Sequence, residues 1–323
     1  MHHLIEKIDN FFFKGMFTGV DTYTFWYIKN QLVVKNCESF RKYTKSAQPS
    51  PHYFIDYSET FKYTKKNWEG IIILSYPAPI GKQINPEAAF QYALGLHDRY
   101  KKTGQVFFLN EFLRYSNFFL IHQDENGNWN YNFEYGLHPN PWQSALAQAR
   151  GASVMLRAGQ LTGDTRYFVS AEKALSKFKI DTIEGGFRKS FLDTDYYYYE
   201  EYPKQPTGVI NGFMVALLGV WEVAFWTKNK TIQDLYDHGL ETLKLMLPIY
   251  TKKWWTIYDL SENGNNFNSP FYHRLIIKYL TAINCISPNE IFENHLVLWK
   301  SFNKPKNIML AIYKKSIRKI LIG

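Results

Sequence analysis

The stretch Asn85–Gly104, NPEAAFQYALGLHDRYKKTG, decides how the rest of the chain is read. Asn85 supplies a capping side chain, and Pro86 suits a first helical position, where its missing N–H would have no partner anyway. Glu87 places an acid in the first turn, and the run ends in a basic last turn followed by Gly104, a standard helix stop. The same apolar spacing predicts further helices over 105–122, 141–161, 165–178, 208–226, 231–247, 271–284 and 288–302. Short turns (TGQ, TGD, TKNKT) alternate with long links at 124–140, 179–207 and 251–270. That rhythm predicts a mainly α fold, an incomplete α/α toroid of antiparallel helix hairpins around a cleft, with the long links carrying the chemistry on one rim.

Three parts follow: a partly β N-terminal segment over 1–80, the toroid domain over 81–303, and a basic C-terminal tail over 304–323. The first holds β-prone runs at Tyr23–Ile28, Gln31–Val34 and Gly70–Tyr76, the last ending at paired prolines. The tail interleaves Lys and Arg with Ile and Leu, and two readings stand: peripheral contact with an anionic membrane surface, or a terminal helix that is solvated or packed. The apolar run 208–225 approaches the roughly 20 residues of a membrane span, but Asn211, Gly212, Gly219 and Glu222 interrupt it, so a buried inner helix is expected.

A formal net charge of +9 draws polyanions. No zinc-finger spacing or RNA-binding signature favours nucleic acid, and charge alone does not choose between anionic lipid and acidic polysaccharide. Tyr, Phe and Trp make up 18% of the chain, enough to face sugar rings as well as to fill a core. Two cysteines, Cys37 and Cys285, have no metal-ligand spacing and suit a reducing compartment. The N-terminus lacks the pattern of a signal peptide, so a cytoplasmic location is expected.

Glu200–Asn211, EEYPKQPTGVIN, sets two carboxylates beside Tyr202 just before the apolar run, with Asp195 and Tyr196–Tyr199 crowded upstream. A loop so rich in ionisable and phenolic groups suits the rim of a carbohydrate site. PWQSALAQARGASVMLRAGQLTGDTRYF (141–168), EEYPKQPTGVINGFMVALLGVWEV (200–223), ETLKLMLPIYTKKWWTIYDL (241–260) and FYHRL (271–275) follow in order. With NPEAAFQYALG and HQDENGNW upstream, they resemble the C-terminal catalytic domain of the D-glucuronyl C5-epimerases, which turn D-glucuronate into L-iduronate within heparosan or heparan sulfate.

The resemblance covers about 80–303 and implies an incomplete α/α barrel, often dimeric, that transfers protons without an organic cofactor. The family's acid–tyrosine pair falls on Glu201 and Tyr202, its YDL tyrosine on Tyr258, its YH tyrosine on Tyr272, and an N-terminal tyrosine on Tyr57. The animal enzymes carry a β-rich domain between the first two motifs; it is missing between them here, and any calcium site in it is not carried over. Ser261 stands where those enzymes have an arginine, and Arg274 is the candidate replacement.

The chemistry explains the residue types. Removing the C5 hydrogen of a glucuronate places charge on its carboxylate as an ene-diolate, and inversion needs acid/base groups on both ring faces plus donors or positive charge at the carboxylate. A phenol with an ordinary pKa of about 10 is a poor base unless its anion is stabilised. Glu201, Tyr202, Tyr258 and Tyr272 are therefore the expected catalytic groups. Tyr57, Trp142, Gln143, Arg150, Glu200, His273 and Arg274 are the expected substrate contacts, with His273 and Arg274 on the carboxylate. Two alternatives stay open: a glucuronate-specific lyase, which shares the first step, and a non-catalytic glycan-binding protein of capsule synthesis. A glycoside hydrolase fits less well, because adjacent Glu200 and Glu201 are poorly placed to flank one bond.

Overall fold

Asn85 caps helix α1 (Pro86–Thr103): its side chain accepts the Ala88 N–H, and Gly104 closes the helix at φ 69° with its N–H on the Tyr100 carbonyl. The computed structural model describes residues 53–58 and 65–322. The other helices are α2 (Val106–Ile121), α3 (Ala145–Thr162), α4 (Thr165–Ala174), α5 (Ile210–Thr227), α6 (Lys230–Tyr250), α7 (Pro270–Ile286), α8 (Glu290–Ser301) and α9 (Pro305–Ile322). All eight expected helices are present. The third begins at Ala145, not 141, because Trp142 is held in an antiparallel bridge with Tyr131 and Ser144 provides the cap.

Each of α1, α3, α5 and α7 packs on the helix that follows it, and the four also touch in sequence: α1 on α3, α3 on α5, α5 on α7. They form an inner row backed by α2, α4, α6 and α8. Close approach within the row depends on missing side chains. A Cβ at Gly219 of α5 would stand 2.4 Å from the Ala149 carbonyl oxygen of α3. One at Gly151 of α3 would stand 2.4 Å from the Trp129 ring and 2.7 Å from that of Phe90. The buried pair Arg157–Glu222 fastens α3 to α5 through contacts of 2.6 and 3.1 Å, each side chain only 2% exposed.

Helix α5 is long and apolar enough to cross a membrane by length and composition, but 78% of it is buried within the protein, as a core helix requires. Helix α9 buries Ile308 and Ala311 and packs on α7, so the tail takes the form of a packed helix.

Among the described residues the β content is small. Strand β1 (Leu74–Ser75) pairs antiparallel with β2 (Lys82–Gln83), and β3 (Arg188–Ser190) with β4 (Tyr197–Tyr199). Within the expected run Gly70–Tyr76 only Leu74–Ser75 becomes a strand, with a single bridge at Ile72; the runs Tyr23–Ile28 and Gln31–Val34 lie outside the described residues. Cys285 is disulfide-bonded, which the reading of the cysteines as suited to a reducing compartment does not anticipate.

Candidate active site

N-terminal portions of all four inner helices face one cleft: Glu87 and Gln91 of α1, Arg150 of α3, Asn211 of α5 and Tyr272 of α7, with Tyr279 further along α7. Helix N-termini carry partial positive charge, so this end of the row favours an anion. Tyr131, Phe133, Tyr135 and Trp142 give the cleft an aromatic wall, in which Tyr131 and Trp142 stack at 3.8 Å between ring centres.

The loop before α5 is pinned by its first glutamate. Glu200 is fully buried, accepts the Tyr198 hydroxyl and the Gly208 N–H, each at 2.8 Å, and donates its own N–H to the Phe187 carbonyl. Burial pushes its carboxyl up to about 7. Glu200 is thus a staple that fixes the loop and does not face the cleft, contrary to the expected substrate contact. The staple leaves Glu201 on the cleft wall, against the bare Cα of Gly212. Burial, then the nearby Glu87 carboxylate, pushes Glu201 up to about 8, with hydrogen bonding to Tyr202 and the Arg150 charge acting the other way. Its Oε2 is buried without a hydrogen-bond partner.

Beside it, Tyr202 stacks on His138 at 5.1 Å and leans on Trp142 at 6.1 Å. Tyr272 lines the cleft, while Tyr258 stands edge-on to it at 4.9 Å, the two hydroxyls sharing a hydrogen bond. Burial and then neighbouring phenols or carboxylates push all three hydroxyls above the ordinary tyrosine range, so each is a neutral phenol here.

Arg150 is the one cation among the described lining residues. It is 1% exposed, pairs with Glu87, and donates to Gln91 at 3.0 Å and to Tyr57 at 3.2 Å. Tyr57 is fully buried with the guanidinium 5.5 Å from its ring centre, so it supports Arg150 from behind and does not line the cleft.

The structure therefore brings Glu201, Tyr202, Tyr272, Trp142 and Arg150 to one surface, with Tyr258 and Tyr57 in the layer behind. Three other expected contacts lie elsewhere. His273 is fully buried, bonded through one ring nitrogen to Thr256 (2.8 Å) and through the other to the Trp299 carbonyl (3.0 Å), and it stacks on Trp255. Neither nitrogen remains for a carboxylate. Arg274 is exposed on α7 and does not line the cleft. Gln143 instead ties Asn130 to Lys177, at 2.7 and 3.2 Å.

Sequence reasoning missed Glu87, Gln91, Tyr131 and Tyr279. The first two were recoverable: at a spacing of four they share one face of α1, and Glu87 had been explained by helix capping alone.

Fold and cleft together define a helix-hairpin protein with an aromatic cleft holding a near-neutral carboxylic acid among phenols. The sequence pattern described as D-glucuronyl C5-epimerase C-terminus matches residues 123–301, more than half of the chain, and the chain belongs to this family. It is 32% identical over 200 residues to the D-glucuronyl C5-epimerase of Caenorhabditis elegans, covering 55% of this chain and 32% of that one. It is 34% identical over 157 residues to an uncharacterised protein of Methanocaldococcus jannaschii, covering 47% and 51%. The match thus spans about a third of one relative and about half of the other.

Proposed function

We propose that the protein inverts C5 of D-glucuronate residues within an acidic polysaccharide of the heparosan type. The convergence of Glu201, Tyr202 and Tyr272 beside the lining cation Arg150 carries this reading. The sugar carboxylate sits toward Arg150 and the inner helix N-termini, where developing ene-diolate charge is favoured. Glu201, ionised, takes the C5 proton, and the electron pair of the C–H bond moves into the carboxylate. Tyr272 then delivers its phenolic proton to C5 from the other face, and the hydrogen bond from Tyr258 stabilises the phenolate left behind. Proton return from Glu201 to Tyr272 through Tyr202 or solvent resets the site. A carboxyl near 8 suits this role, because an acid/base group works best with its pKa close to the working pH. The net charge of +9 draws the polyanion in. We read α1, α3, α5 and α7, backed by their partners, as the inner row of an incomplete α/α toroid.

The test is incubation of heparosan in deuterated water, followed by NMR at C5. Deuterium gain together with iduronate signals at unchanged chain length is the expected result. Chain shortening with a new ultraviolet-absorbing unsaturated uronate would replace the epimerase by a lyase. Retention of hydrogen at C5 in a bound polymer would leave only a binding protein.

A further inference from the structure

Lys315 belongs to α9, beyond the stretch that the family pattern covers, and approaches the site from behind the cleft wall. Its ammonium donates to Asn266 Oδ1 at 2.8 Å and lies 5.3 Å from the centre of the Tyr258 ring. Asn266 is itself the strut of the Tyr258 loop: its carbonyl accepts the Tyr258 N–H at 2.6 Å, and its Nδ2 donates to Asp259 Oδ2 at 3.0 Å. The other Asp259 oxygen accepts from Ser261, so the carboxylate is held on both sides. One lysine therefore touches both the turn that carries Tyr258 and the face of its ring.

The groups that face Tyr258 are Tyr272, Tyr202, Glu201, Asp259 and Lys315. The first four are phenols or carboxyls, and negative charge on any of them makes a neighbouring phenolate harder to form. The ammonium acts in the opposite sense. A cation over an aromatic face is attracted to the ring's electron density, and more strongly as the hydroxyl gives up its proton. A more acidic Tyr258 is in turn a stronger donor to the Tyr272 oxygen.

We propose that Lys315 is a positioning residue for the C5 chemistry: it braces the Tyr258 loop and charges the Tyr258 ring, so that Tyr258 stabilises the Tyr272 phenolate. This rests on the epimerase reading above. The terminal helix is then a working part of the site.

The experiment compares Lys315→Gln, which keeps a donor for Asn266 but no charge, with Lys315→Arg, which keeps both. C5 exchange on heparosan is measured alongside the 13Cζ resonance of Tyr258 in tyrosine-labelled protein, assigned by its loss in Tyr258→Phe. Lys315→Gln is expected to lower kcat about tenfold at unchanged KM, while the arginine variant stays within about twofold of the parent. The Tyr258 resonance moves in the glutamine variant and stays close to its place in the arginine variant. Full activity in Lys315→Gln, or equal loss in both variants, would overturn the role of the charge. A parent protein with no C5 exchange would sink the epimerase reading instead. The resonance still decides the Lys315–Tyr258 contact in that case, and an unmoved signal in Lys315→Gln refutes it.

Discussion

The Glu201 carboxylate rests on the backbone of Gly212: a methyl group at that glycine would stand 2.4 Å from Glu201 Oε2 and 2.7 Å from its Cβ. The second distance matters more, since a Cβ cannot rotate away without moving the loop. Gly212→Ala should displace the proposed base by a fraction of an ångström to one ångström. C5 exchange should then fall by about a hundredfold. Alanine favours a helix more than glycine does, so circular dichroism should find α5 intact. Parental activity in this variant would mean that Glu201 need not sit where it does.

Glu201 also makes stability depend on pH in a defined direction. Its carboxyl is raised from 4.5 to about 8, so the folded protein holds a proton that the unfolded chain releases between those values. The parent therefore loses stability as pH rises from about 4.5 to about 8. Glu201→Gln removes that loss. Melting temperatures of the two proteins should differ by a constant below pH 4.5 and diverge in favour of glutamine up to pH 8. The same variant should show no C5 exchange above background.

Arg157 and Glu222 are the pair that fastens two inner helices, and both are sealed from water. Glu222→Ala takes the bonded carboxylate from a buried guanidinium, leaving only the more distant charge of Asp98, and should cost about 3–5 kcal/mol. Urea titration should reveal a loss of that size, and a loss below about 1 kcal/mol would mean that water reaches Arg157.

Neighbouring residues on α7 should respond in opposite ways. Tyr272→Phe removes a hydroxyl from the cleft and should slow exchange by about a hundred- to ten-thousandfold, with the melting temperature nearly unchanged. His273→Ala removes two buried hydrogen bonds and a ring stacked on Trp255, so it should cost about 2–4 kcal/mol. Its exchange rate per folded molecule should match the parent. Kinetics at a temperature where both variants are folded separate the two effects.

This contrast also explains what could be read in the chain. Helix positions were legible from apolar spacing, and most sharply where a helix carries its own start and stop: Asn85 and Gly104 act through their own side chain and backbone. The β3–β4 hairpin was not, because the consecutive tyrosines 196–199 show no alternation to mark a buried face. Resemblance marks Tyr272, and the need for charge at the sugar carboxylate suggests its neighbours His273 and Arg274 as well. A helix turns about 100° per residue, so three consecutive side chains cannot look into one cleft. Only Tyr272 does. Arg150 was legible, but its partner Glu87 lies far away in sequence, and only folding brings them together.

Gly219 lets α5 lie close against α3 at Ala149, the residue beside Arg150. The gauge of the groove is therefore fixed at a point that no ligand reaches. A side chain at residue 219 would force α3 and α5 apart, and with them the walls that carry Arg150 and Asn211. Girth and chemistry are separately adjustable in this scaffold.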